Sequence, residues 1–223
     1  MTDRMDQDAI RRELSLLLDL GFTHLDVRSA PEAVQETAQP SDWDELERQA
    51  KICTACRLAA TRTQVVFGTG NRNADLMFIG EGPGRDEDLA GEPFVGRAGQ
   101  LLTDIIKAMK LTREQVYIAN VVKCRPPENR NPEPDEMDAC RPWLQKQIEL
   151  IRPRVIVTLG KFALLGTMQQ DLKISASRGK WLRLGEIRVM PTYHPAYLLR
   201  NPTAKKDVWS DMKQVMAELG IEG

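Results

Sequence analysis

Short apolar runs alternate with stretches of helical periodicity through most of this chain. Leu76-Met77-Phe78-Ile79 is unbroken, the pattern of a strand buried on both faces. Gly80-Glu81-Gly82-Pro83-Gly84 cannot continue it, because three glycines and a proline force a tight turn that lets backbone approach a ligand. Similar apolar runs at 116–122, 155–159 and 187–190 predict three further strands. Helical spacing predicts a helix over 97–110, with Leu101, Leu102, Ile105, Ile106 and Met109 on its buried face. Further helices are predicted from Asp135 to about Ile151, bent at Pro142, after Gly160, and over 203–219. Four prolines in 125–134 exclude regular structure there.

Strands alternating with helices predict an α/β fold: three α/β/α layers around a central four-stranded, mainly parallel sheet. In such a sheet the C-terminal strand ends share one edge. Gly80–Gly84, Asn120 and His194 each fall at or just past a predicted strand end, so they are expected to meet in one crevice.

Ahead of this pattern the chain changes character. Residues 6–20 read as an amphipathic helix with Ile10, Leu14, Leu17 and Leu18 on one stripe, and 26–40 as a polar linker. Ser41 is placed as the N-cap of a short helix reaching Lys51, with Asp42, Asp44 and Glu45 in its first turn. Two parts are therefore expected, an acidic leader over 1–40 and a domain over 41–223.

Charge and composition narrow the reading. Residues 1–50 balance to −7 and the remainder to +6, so a mildly basic domain follows an acidic leader, compatible with nucleic acid. A chain of 223 residues can bury a core without disulfides. No apolar stretch approaches the ~18–20 residues of a membrane span. The charged first residues do not read as a signal peptide, which gives a cytoplasmic expectation and reduced thiols.

Four cysteines then favour metal binding or catalysis. Cys53 and Cys56 form a C-x2-C pair, and Cys124 and Cys140 follow as C-x15-C. Two pairs from two segments can close a tetrahedral thiolate shell, and spacing alone accepts either zinc or a four-iron cluster. Of the two histidines, His24 sits in the leader, whereas His194 lies in a turn that Pro195 pins. Phe94, on a glycine-punctuated loop, is placed to stack on a planar ligand. Arg178, Lys180, Arg200, Lys205 and Lys206 supply cations for phosphate.

GEGPGRDED (80–88), GEPFVGRAGQLL (91–102), YIANVVKCRPPENRNP (117–132), RGKW (178–181) and YHPAYLLR (193–200) together resemble the family-4 uracil-DNA glycosylases, over about residues 42–219. The resemblance implies an α/β/α fold and hydrolysis of the N-glycosidic bond of deoxyuridine in double- or single-stranded DNA. Free uracil and an abasic site are the products, and a monomer is expected. It implies a [4Fe-4S] cluster on Cys53, Cys56, Cys124 and Cys140. The backbone of Glu81, Gly82 and Pro83 would line the uracil pocket, Phe94 would stack on the flipped base, and Asn120 would read its edge. His194 would face O2, Leu198 would enter the duplex as a wedge, and Arg178 and Arg200 would contact phosphate.

Two positions depart from the wider superfamily. Gly82 stands where its best-known members carry an aspartate that activates water, which leaves Glu81 as the candidate base. Ala196 replaces a serine able to bond phosphate. A catalytically silent iron–sulfur protein that binds DNA or senses redox state is the competing reading.

Removing residues 1–40 is expected to leave uracil excision within roughly tenfold of the full chain in kcat/KM, about 1.4 kcal/mol. A larger loss would make the leader part of the catalytic unit.

Overall fold

The computed structural model describes residues 42–222. The helix expected over 6–20, the linker over 26–40, the Ser41 cap and His24 lie outside the described residues. After α1 (Asp42–Lys51) come β1 (Thr69–Gly70), β2 (Leu76–Gly80), α2 (Arg85–Ala90), α3 (Arg97–Ala108) and β3 (Tyr117–Asn120). The second half holds α4 (Pro134–Ile151), β4 (Val155–Leu159), α5 (Lys161–Met168), α6 (Ile174–Ser177), β5 (Leu182–Leu184), β6 (Ile187–Thr192), α7 (Pro195–Arg200) and α8 (Lys205–Leu219).

The strands pair in the order β1-β3-β2-β4-β6-β5. The inner four run parallel, and β1 and β5 close the two edges antiparallel. Period-two alternation sends Met77 and Ile79 into one layer with Ala119, Ile156 and Val189. Leu76 and Phe78 face the other, with Ile118, Val157 and Met190. Both faces are dry, which is why β2 reads as an unbroken apolar run. Trp43 of α1, Leu144 and Ile148 of α4 and Ala163 of α5 cover the first face. Leu102 and Ile106 of α3, Leu198 of α7 and Val208, Met212 and Val215 of α8 cover the second. The three layers are as expected.

Six strands replace the expected four. A two-residue β1 is too short to show alternation. β5 forms a hairpin with β6 across Gly185, whose φ of +60° suits a tight turn. β6 runs two residues beyond its expected end, through Pro191 to Thr192. Proline is tolerated there because β5 pairs only as far as Val189, so no ladder hydrogen bond is lost on that side. α4 starts at Pro134, where a missing N–H costs nothing, one residue before its expected start. α3 stops at Ala108, short of Lys110, which has a positive φ of +65°. Leu101 and Ile105 are partly buried on its face, beside fully buried Leu102, Ile106 and Met109.

Register sets the functional edge. Gly80 lies opposite Asn120, and Leu159 lies opposite Thr192. The parallel strands therefore end level, and the turns that follow them open on the same side. Among the described residues no helix is long and apolar enough to cross a membrane.

Candidate active site and metal centre

A cleft of about 520 Å³ opens at this edge, within the ~300–1,000 Å³ of small-molecule sites. Glu81, Gly82, Pro83, Phe94, Asn120, His194 and Arg200 line it, so turns far apart in sequence meet as expected.

Asn120 ends β3 and is 2% exposed. Its Oδ1 is buried without a hydrogen-bond partner. Leaving such an acceptor unpaired costs about 1–3 kcal/mol, a penalty that a ligand N–H would remove. Glycine at position 80 creates the room. A Cβ there would lie 2.3 Å from Asn120 Oδ1 and 2.5 Å from Phe94 Cζ.

Phe94 has φ of +57°, a strained conformation for a residue with a side chain. Several contacts impose it. Arg113 donates to the carbonyls of Pro93 at 2.8 Å and Phe94 at 3.2 Å. The Glu87 carboxylate accepts from the N–H groups of Val95 at 3.0 Å and Gly96 at 2.9 Å, and from Gly84 at 3.1 Å. Glu87 thereby ties the two glycine-rich turns to each other. Helix α3 approaches so closely that a Cβ on Gly99 would overlap the Phe94 carbonyl at 1.9 Å. The ring is fixed 5.6 Å from that of His194, at 33°.

His194 caps α7. Its Nδ1 accepts from the Ala196 N–H at 3.1 Å, which leaves Nε2 to carry the ring proton. Burial, aided by the charge of Arg200, holds its pKa down to about 4, so the imidazole is neutral at physiological pH. Gly160 packs beneath it, with space for a Cβ only at 3.1 Å from His194 Cβ. Across the cleft, burial pushes the Glu81 carboxyl up to about 7.

Two expected DNA contacts are corrected by the packing. Leu198 is 1% exposed within the second core layer, so it cannot act as a wedge while α7 stays folded. α7 instead exposes Tyr197 and Leu199, and Tyr197 reaches the cleft. Arg178 is committed to a buried ion pair with Asp211, donates to the Asp207 carbonyl at 2.9 Å and lies over the Tyr193 ring. Its guanidinium is thus structural and not offered to phosphate. Arg200 is exposed at the cleft.

Sequence reasoning also missed the wall formed by the proline-rich loop. Pro126, Asn129, Arg130 and Asn131 line the cleft, and Glu128 and Asn129 both have φ of +56°. Fully buried Glu136 holds this wall through Arg130, at 2.6 Å, and reaches Arg57 at 3.0 Å beside Cys56. The Arg130 guanidinium keeps its carboxyl well below the usual range. Nothing in the sequence marked Glu87, Arg113 or Glu136, since each acts on distant backbone or charge.

Cys53, Cys56, Cys124 and Cys140 line one small cavity with Ala50, Ala55, Ala59, Ala139 and Trp143. The four cysteines thus come together from two distant segments around one space. Two donors already face them: Arg62 Nη1 lies 3.3 Å from Cys124 Sγ and Lys123 N 3.2 Å from Cys140 Sγ. Burial pushes the Cys140 thiol up to about 12 and raises that of Cys124. Both are therefore protonated as free thiols, and bound metal is what would hold them as thiolates. The donor set and the shared cavity fit a four-thiolate centre.

A family model described as the uracil DNA glycosylase superfamily matches residues 67–213. The type-4 uracil-DNA glycosylase of Archaeoglobus fulgidus is 45% identical over 180 residues, covering 77% of this chain and 90% of the relative. That of Thermotoga maritima is 46% identical over 184 residues, covering 80% and 95%. The type-5 uracil-DNA glycosylase of Pyrobaculum aerophilum is 31% identical over 150 residues, covering 58% and 64%.

The geometry at His194 predicts its titration. Proton NMR should give it a midpoint near 4, with Nε2 protonated above that pH. The folded state binds fewer protons at this group than the unfolded chain, so its contribution to stability is lost as pH falls from 6.5 through about 4. A midpoint near the ordinary value of about 6.5 would refute the neutral assignment.

Proposed function

The chain belongs to the uracil DNA glycosylase superfamily, and on that premise we propose a uracil-excising mechanism built on the unpaired oxygen of Asn120. The protein is a DNA-repair hydrolase that cleaves the N-glycosidic bond of deoxyuridine in DNA. It releases uracil, leaves an abasic site and acts as a monomer on double- or single-stranded DNA.

The observation that carries the mechanism is a buried acceptor with no partner, beside an aromatic ring held in a strained loop. Uracil offers N3–H and O4, a donor beside an acceptor, which the Asn120 amide complements. Cytosine offers the reverse pattern, and each buried mismatch costs about 1–3 kcal/mol. Phe94 stacks on the extruded base and offsets part of the few kcal/mol that flipping costs. The Glu81-Gly82-Pro83 turn closes the pocket with backbone.

As the bond breaks, negative charge builds on uracil O2. A neutral histidine whose Nε2–H is fixed by the bond at Nδ1 gives that oxygen a preorganised donor. Glu81 is the candidate base for the water: with its carboxyl near 7, a large fraction is ionised at neutral pH. Arg200 supplies charge for phosphate, and the exposed Tyr197 and Leu199 are the groups α7 offers to the duplex.

Cys53, Cys56, Cys124 and Cys140 are the proposed ligands of a [4Fe-4S] cluster. Four cysteines around one cavity, in a chain about 45% identical to type-4 uracil-DNA glycosylases, support this reading. When bound, the cluster would cross-link the two cysteine segments and supply an electron-transfer centre, and the hydrolysis needs none of that redox chemistry.

The protein purified without oxygen is expected to be yellow-brown with about four irons per chain. Stoichiometric zinc without iron would remove the cluster from the proposal.

Single-turnover excision on U:G, C:G and T:G duplexes tests the roles of the two pocket residues. His194→Ala is expected to slow uracil release by about 10²–10³ without changing base choice, because O2 is common to the pyrimidines. Asn120→Asp should lose uracil excision, since its carboxylate repels O4, and gain weak action on cytosine. Near wild-type rates for either variant would overturn these roles. No abasic product from the wild-type protein would favour the silent iron–sulfur reading.

A further inference from the structure

Lys123 is the one fully buried lysine among the described residues, and no step above uses it. Its ammonium has neutral acceptors only, the main-chain carbonyl of Asn120 at 2.8 Å and Gln147 Oε1 at 2.6 Å. The orientation of Gln147 is fixed, since its Nε2 donates to the Phe67 carbonyl at 2.9 Å and to the Tyr117 hydroxyl at 3.2 Å. No described carboxylate lies within ion-pair distance of Lys123. A buried cation with no counter-charge is strongly disfavoured.

The same residue lines the cysteine cavity, and its backbone N–H donates to Cys140 Sγ at 3.2 Å. A [4Fe-4S] centre held by four thiolates is net negative. It would supply the opposite charge that the described side chains do not. Lys123 also reaches the carbonyl of the residue assigned to read uracil. Lys123 therefore borders the cysteine cavity while its ammonium holds the main chain of a cleft residue.

We propose that Lys123 takes the iron–sulfur centre as its counter-charge while its ammonium holds the Asn120 carbonyl, making it the positioning residue that ties the base-reading amide to the metal centre. This rests on the functional reading above. It accounts for an otherwise costly buried charge, and it assigns the cluster an electrostatic link to the pocket in addition to a mechanical one.

The test uses holoenzyme bearing Lys123→Met, which removes charge and donor, and Lys123→Gln, which removes charge but keeps an N–H. Iron content, the cluster's midpoint potential from an EPR-monitored titration, and single-turnover uracil excision are measured for each. Removing a nearby positive charge makes electron uptake harder. Both variants should therefore lower the reduction equilibrium constant at least tenfold, about 59 mV for one electron. Lys123→Met should also lose at least tenfold in kcat with little change in KM, because Asn120 is displaced while DNA contacts are kept.

A merely structural lysine would change thermal stability without this shift in potential. A wild-type potential in whichever variant folds with its cluster would overturn the proposal, as would full excision by Lys123→Met. The potential needs no uracil. Wild-type protein that failed to excise would thus overturn the functional reading separately and leave the potential to judge the counter-charge.

Discussion

Five consecutive residues bind the two halves of this protein's chemistry together. Asn120 ends β3 and faces the cleft, and Cys124 lines the cysteine cavity. Between them Val121 and Val122 continue the backbone pairing, donating to the carbonyls of Gly80 at 2.9 Å and Glu81 at 3.1 Å. The turn that closes the base pocket is thus registered against the segment that leads to the metal ligands. Neither site can shift along the sheet edge without moving the other, and the adjoining loops are arranged around that constraint.

The pocket then depends on polar groups that act on its backbone and on one another. Phe94 holds an unfavourable backbone conformation because Arg113 donates to its carbonyl and that of Pro93, while Glu87 accepts from the N–H groups of Val95 and Gly96. Strain of roughly 1–3 kcal/mol persists only where the surroundings over-determine it. Glu136 does similar work on the opposite wall, where Arg130 and Arg57 converge on one buried carboxylate. Charged side chains here act mainly on backbone and on one another, and they fix the shape of an otherwise proline- and glycine-rich edge.

Glu81 and His194, both in the cleft, are pushed towards neutrality by the same burial, with opposite meaning. A neutral imidazole is the form that can donate from Nε2 while Nδ1 accepts. A carboxyl raised to about 7 is a better proton acceptor than one at its ordinary value, provided that it is ionised. Desolvation thus prepares a donor at one side of the cleft and a base at the other.

Much of this was legible in the residues themselves. The unbroken apolar run at 76–79, the glycine turn after it, the strand-end positions of Asn120 and His194 and the paired cysteines all follow local rules of periodicity and turn chemistry. Those rules depend on near neighbours, and the motif blocks carried the family. The outer strands were not legible, because two or three residues cannot show alternation and pairing supplies their stability. Leu198 and Arg178 look alike in sequence whether exposed or buried, and only packing against α8 and the Asp211 carboxylate decided against their contact roles. Glu87, Arg113, Glu136 and Lys123 were invisible for the same reason. Their partners lie on other elements, and a charge takes its meaning from what the fold places beside it.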